Sequence, residues 1–278
     1  IKNCNGSLIY FLDVDDSIEL NTIEILVEEY EKNDVEMVVG DFFRVTDNIK
    51  SASGNDITFS EDTILGDEEI LSYVRQYLKA PYKFLLFNHI WNKLYNTGII
   101  RENRILFNPE LRNLEDVDFN YKYLNYVKNV YFKNCPLYNY TIRKTSQSFV
   151  IGDDLKDVAK YSSTFETVKA FLLNKELDKS VVDKEVGHLF ISYTIIILIR
   201  LCGSLNYKNI FKIYRNVSAI VSSPQVRNNL EFYSPTPSDI RYAHVLMRYK
   251  LNALTMATCW RRFNTHRKFR EKKNAINR

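Results

Sequence analysis

Apolar positions early in the chain alternate between two periods. Leu8-Ile9-Tyr10-Phe11-Leu12 is a continuous apolar run that ends in carboxylates, the pattern of a buried parallel strand. Asn21-Thr22 follows as a helix start, and Ile23, Leu26, Val27 and Tyr30 then recur at helical spacing. Residues 35–39 read as a second strand, closing a strand–helix–strand unit. The polar stretch 46–62 reads as a surface loop. Ile70, Leu71, Val74 and Leu78 restore the helical period until Pro81 stops it. Residues 85–95 are rich in aromatics and lead into a short helix near 96–103. A further helical run opens at Leu114-Glu115-Asp116 and continues through Tyr123, Leu124 and Val127. Val130-Tyr131-Phe132 and Leu137-Tyr138-Asn139-Tyr140 read as two strands separated by a Cys135-Pro136 turn. Beyond residue 150 the pattern is helical throughout. The expected organisation is therefore α/β over 1–150 and all-α over 151–278.

Composition narrows the class without naming it. Hydrophobic residues make up 45% of the chain, enough for a sizeable core, and only eight Gly and six Pro exclude low-complexity and collagen-like structure. Cys4, Cys135, Cys202 and Cys259 are scattered with no CxxC pair, which argues against a zinc site or a disulfide framework and for a reducing compartment. The opening IKNCNGSLIYFL lacks the basic start and long apolar run of a signal peptide, so a cytoplasmic location is expected. The stretch 189–201 is apolar but reads as too short to span a bilayer, and hence as a buried helix.

The net charge of +4 is unevenly spread. Residues 241–278 carry 11 Lys and Arg against one Glu, whereas the preceding 240 residues are net negative. Ile240, Ala243, Met247, Leu251 and Leu254 fall at helical spacing with Arg241, His244, Arg248 and Arg261 interspersed. A basic amphipathic helix of this kind suits the inner face of an anionic membrane. A terminal helix packed on its own domain is the alternative. No nucleic-acid fold accompanies the basic tail, so nucleic acid is not expected as a partner.

The most suggestive chemistry is Asp13-Val14-Asp15-Asp16, placed where the first strand ends. That is where open sheets form their binding crevice. Asp13 and Asp15 share a face of an extended segment. Carboxylates this close repel one another unless a cation neutralises them, and Mg2+ or Mn2+ prefers such oxygen ligands. An acidic turn that caps the following helix explains a bare DxDD equally well.

Four ordered blocks favour the first reading. IYFLDVDDSIELNTIEILVEEYEKNDVEMVVGDF resembles the metal-binding stretch of family 2 glycosyltransferases, whose strand reads roughly YIYFLDSDD. Trp91-Asn92-Lys93-Leu94-Tyr95 resembles the family's WNKLY block. Asn113-Leu114-Glu115-Asp116-Val117-Asp118-Phe119 resembles its GED..F block. Leu137-Tyr138-Asn139-Tyr140-Thr141-Ile142-Arg143, with Ser146 and Ser148, resembles its PLYYYR…S.S segment. The resemblance covers about 140 residues.

The resemblance implies a GT-A fold, here a partial one: a Rossmann-like mixed sheet with flanking helices, followed by the helical region. It implies a nucleotide-sugar donor, UDP-linked, with Mn2+ or Mg2+, and a glycan or lipid-linked glycan acceptor in bacterial surface polysaccharide assembly. By the same resemblance Asp13, Asp15 and Asp16 are metal candidates, with Asp15 the direct ligand. Asp13 and Arg143 face the donor. Asp116 is the catalytic base of an inverting transfer, and Glu115 orients the acceptor or the base. Trp91 and Lys93 are placed on the acceptor side. An aromatic such as Trp91 has core packing as its alternative, and Lys93 a solvated surface. Two departures stand out. The family's VSVIIPVYN strand and DDGSTD turn do not occur in this sequence, so the donor-binding half reads as absent and this chain alone is expected neither to bind a nucleotide-sugar tightly nor to turn over. Leu114 stands where the family has Gly. A non-catalytic remnant or scaffold that binds glycan or a partner protein is the competing expectation.

Overall fold

A computed structural model of the chain describes residues 1–53, 59–81, 83–111, 113–142, 158–237 and 239–276. The chain divides into two compact units, one of residues 1–146 with 163–182 and one of residues 147–162 with 183–278.

The first unit is built on one sheet. Its elements run β1 (Leu8–Tyr10), β2 (Ser17–Ile18), α1 (Thr22–Lys32), β3 (Met37–Thr46), β4 (Ile49–Ala52), β5 (Thr63–Leu65), α2 (Asp67–Lys79), β6 (Lys93–Asn96), α3 (Thr97–Glu102), α4 (Glu115–Leu124), β7 (Val130–Thr141) and α5 (Val158–Asn174). The strand order is β1-β6-β3-β7-β2, with β4 added to β3 and β5 to β7. Strands β3 and β7 are parallel, and the other pairs are antiparallel. The completely buried Leu26 of α1 packs with Val35, Val38, Leu94, Tyr131 and Leu137, so the helical stripe seals one face of the sheet centre.

Four details differ from the expectation. The first strand stops at Tyr10; Phe11 leaves it to meet the rings of Tyr95, Phe107 and Phe119 edge-on, and Leu12 is largely exposed. Strand β6 lies between β1 and β3, antiparallel to both, so the two keep a common direction without pairing. The Cys135-Pro136 step is not a turn but an irregularity within the continuous β7. Its pairing with β3 jumps from Gly40↔Lys133 to Asp41↔Pro136, and Pro136, having no N–H to donate, sits where the ladder is broken. The stretch 46–62 is not all loop: Asp47 and Asn48 both have positive φ (50° and 64°) and join β3 to β4 as a hairpin.

The second unit is helical from residue 183 onward, comprising most of α6 (Lys179–Gly203), then α7 (Ile210–Ser222), α8 (Pro224–Asn229), α9 (Ala243–Arg248) and α10 (Asn252–Ile276). Gly203 has a packing reason. A Cβ there would lie 2.5 Å from the Phe263 ring, so only glycine lets α10 approach this closely. Helix α6 extends N-terminally beyond the apolar core of the sequence pattern. By length and composition it is therefore long enough to cross a membrane, although 61% of its apolar window is buried within the chain.

The expected single amphipathic helix from residue 240 is interrupted. Lys250 adopts φ 53° and ends α9 before α10 begins. Ala243 and Met247 are consequently buried, while Leu251 and Leu254 are exposed, and the stripe does not form one continuous face.

Candidate functional site

The acidic turn after β1 is held by its own third aspartate. Asp16 N–H donates to Asp13 O (3.1 Å), closing the turn. The Asp16 carboxylate accepts from Thr141 N–H (2.7 Å) at one oxygen and from the Tyr138 hydroxyl (2.7 Å) at the other. Tyr138 Oη accepts in turn from Asp13 N–H (3.3 Å). β2 then pairs with β7 at Ser17↔Asn139 and Ile18↔Tyr138, and Leu137 O receives both Glu19 N–H and the Thr22 hydroxyl. The turn is thereby tied to β7 on both sides. Asp16, a metal candidate by resemblance, has both oxygens committed to this clamp, which leaves Asp13 and Asp15 as the exposed pair.

The second acidic pair sits in the first turn of α4. Leu114 precedes it with φ 64°, a left-handed conformation, which is the physical reason a glycine suits this position. Leu114 O still accepts the first helical bond, from Asp118 N–H (2.9 Å). Asp116 Oδ2 accepts from the backbone N–H of Ile90 (3.1 Å). Burial raises the Asp116 carboxyl to about 6 against that hydrogen bond; the charges of Glu115 and Asp13 push it further up, and Lys93 pulls it down. Partial desolvation, followed by the charges of Asp16, Asp15 and Glu115, likewise raises Asp13. Each acidic pair thus feels the other: the tip of β1 and the start of α4 share one electrostatic site. Glu115 Oε2 is buried there without a hydrogen-bond partner among the described residues.

The segment that delivers Ile90 N–H is pinned from below. Buried Asn120 of α4 donates to Phe87 O and His89 O (both 2.9 Å) and accepts from the Tyr95 hydroxyl (2.8 Å), whose single proton is shared between Asn120 Oδ1 and the more distant Ile90 O (3.1 Å). Trp91 is 4% exposed and stacks with His89 (4.6 Å), Tyr138 (4.6 Å) and Tyr140 (5.4 Å), with Phe42 edge-on. It packs in the core and does not present a face to an acceptor.

Lys93, 1% exposed, takes neither of its expected places. Its ammonium donates to Trp91 O (3.2 Å) and Asn92 Oδ1 (2.9 Å) beneath the site, and burial lowers it to about 7. Its charge reaches Asp116 through the protein and not through a bound acceptor. Burial, with the nearby Lys93 and Arg44 charges, holds His89 neutral by lowering it to about 3. Arg143, expected at the donor, lies outside the described residues.

A divalent cation fits this donor set in a limited way. Among the described residues no three Asp, Glu, His or Cys side chains form a ready-made metal cage. Exposed Asp13 and Asp15 nonetheless offer the one or two carboxylates that Mg2+ or Mn2+ uses when phosphate oxygens supply the other ligands. Sequence reasoning named five acids, Asp13, Asp15, Asp16, Glu115 and Asp116, and did not single out the roles of Tyr138, Asn120 and the His89–Trp91 stack. Tyr138 and Tyr140 had a legible signal in their spacing of two, which puts both rings on one face of a strand. The bond from Asn120 to residue 87, across the fold, had none.

Residues 1–102 match the profile of the family described as Glycosyl transferase family 2. EpsH of Bacillus subtilis strain 168, provisionally designated a glycosyltransferase, is 24% identical over 255 residues, covering 90% of this chain and 70% of that protein. S. aureus TarS 1–349 in complex with UDP-GlcNAc superposes with a TM-score of 0.58 at 14% identity, over 96% of this chain and 69% of that one. The same protein in complex with UDP gives 0.57 at 14% identity, over 96% and 68%. At this identity the likeness is one of fold, and it gives the mixed sheet and flanking helices a GT-A architecture.

Proposed function

We propose, from the match of its first 102 residues to the family described as Glycosyl transferase family 2 and from the likeness to EpsH, that the chain is a family 2 glycosyltransferase that moves a sugar from a UDP-linked donor to a glycan or lipid-linked glycan acceptor with inversion, in bacterial surface polysaccharide assembly. The observation that supports this most is the shared electrostatic site of Asp13 and Asp15 at the tip of β1 with Glu115 and Asp116 at the start of α4.

The chemistry follows from the two ends of that site. Asp116, held by Ile90 N–H, takes the proton of the acceptor hydroxyl as its oxygen attacks the anomeric carbon. The bond from that carbon to the diphosphate breaks, and the electron pair leaves with UDP. Displacement from the opposite side inverts the anomeric centre. Glu115, whose Oε2 is buried with no partner among the described residues, would hold the acceptor beside the base. Asp15, helped by Asp13, would hold Mn2+ or Mg2+, which when bound offsets the charge of the leaving diphosphate. The basic tail would bring the site to the inner face of the cell membrane, where a lipid-linked acceptor resides.

UDP release across a panel of UDP-sugars, with and without Mn2+ and with polysaccharide acceptors, tests the proposal. Mn2+-dependent release that Asp15→Asn removes, with an unchanged melting curve, is the result the proposal predicts, and it would overturn the expectation that this chain alone does not turn over. Release from no donor under any condition would favour the non-catalytic scaffold.

A further inference from the structure

The second unit exposes aromatic rings where a helix normally shows polar side chains. Ile213, Val217, Ile220 and Val221 form the buried face of α7. On the outside, Tyr207 and Phe211 are each 84% exposed and Tyr214 41%. They follow one another at spacings of four and three, so Phe211 and Tyr214 share one side of the first turns of α7 and Tyr207 leads into it. Lys208, Lys212 and Arg215 repeat the same spacing one residue later, forming a cationic stripe beside the aromatic one. The Lys208 ammonium lies 5.5 Å from the centre of the Tyr207 ring.

Single exposed apolar residues are ordinary on a protein surface. Phe211 and Tyr214 beside Lys212 and Arg215 on α7, with exposed Tyr207 and Lys208 in the turn that precedes the helix, form an organised surface. Its charge states what covers it. Between Glu185 and Glu231 there is no acidic residue, whereas Arg200, Lys208, Lys212, Arg215 and Arg227 all fall there. A second copy of this face would meet its own positive charge, so the complementary surface is an anionic one.

We propose that the Tyr207–Phe211–Tyr214 stripe, flanked by Lys208, Lys212 and Arg215, docks on an anionic lipid bilayer. The Phe211 ring enters the acyl boundary, the two tyrosines rest at headgroup level, and the cations meet lipid phosphates. This extends the membrane-facing reading of the tail to a different element, and it holds whether or not the tail itself binds.

Flotation of the full chain with vesicles separates these cases. Phosphatidylcholine vesicles should leave it unbound, and vesicles that also contain phosphatidylglycerol should carry it up. Tyr207→Ser with Phe211→Ser should weaken partition at least about tenfold, and Lys208→Gln with Arg215→Gln should weaken it by roughly tenfold or more, both without changing the melting curve. Arg267→Gln with Lys268→Gln reports on the tail alone: loss of binding in that variant, with full binding in the α7 variants, would overturn the α7 proposal and keep the tail reading. Absence of flotation, or a Phe211-dependent dimer in sedimentation without vesicles, would also overturn it.

Discussion

Asp116→Asn is expected to lower kcat/KM for sugar transfer by about 10²–10⁴-fold, the range for losing a general base, with the fold intact. The asparagine oxygen can still accept from Ile90 N–H, so the local geometry survives and the proton acceptor is lost. In the unaltered chain kcat/KM should fall about tenfold per unit as pH drops below about 6, because only the ionised carboxylate accepts a proton. Stability should move the other way. Asp116 ionises less readily in the fold than in the open chain, so its charge destabilises the native state progressively as pH rises from the ordinary 3.8 to about 6, and fully above that. Removing the charge should therefore stabilise the protein by about 3 kcal/mol at pH 8 and hardly at all at pH 4. Urea unfolding at the two pH values reads this directly. An Asp116→Asn variant that is less stable at pH 8 would mean the group is a helix-start decoration and not a carboxylate held in reserve.

Asn120→Ala should destabilise the protein strongly while leaving the acids themselves untouched. It removes hydrogen bonds to Phe87 O, His89 O and the Tyr95 hydroxyl, all in buried surroundings. Leaving such groups without partners costs about 3 kcal/mol. The segment that ends in Ile90 N–H then loosens, and Asp116 loses the bond that holds its carboxyl down. The acid limb of the pH profile should consequently move upward, together with the loss of stability. Chemical denaturation and a kcat/KM profile on the same preparation test both halves. A variant that is destabilised with an unmoved pH profile would make Asn120 a packing residue with no hold on the base.

The acidic turn and the acids of α4 were legible because both are local: a strand that ends in carboxylates, and a helix that starts with them. Their meeting was implied only by resemblance, since nothing in a single sequence brings residue 13 beside residue 116. The same limit hid β6 between β1 and β3, which depends on pairing residues as far apart as Leu8 and Asn96. It hid the continuity of β7 as well, where Cys135-Pro136 carries a turn signal that the parallel ladder with β3 overrides. Lys93 shows the reverse error. A lysine in a WNKLY block reads as a surface or ligand cation, yet β6 is central enough to bury it against Trp91 O and Asn92 Oδ1. The helix break at Lys250 left no mark in the apolar periodicity, because a left-handed residue at a helix end need not interrupt the pattern of its neighbours.

The most direct test of a single acidic site is a carboxyl-carbon NMR titration of Asp116 in the unaltered chain and in Asp13→Asn. A midpoint near 6 that falls when Asp13 loses its charge is the predicted result. A midpoint at the ordinary carboxylate value, unmoved by Asp13→Asn, would separate the tip of β1 from the start of α4 and contradict the account.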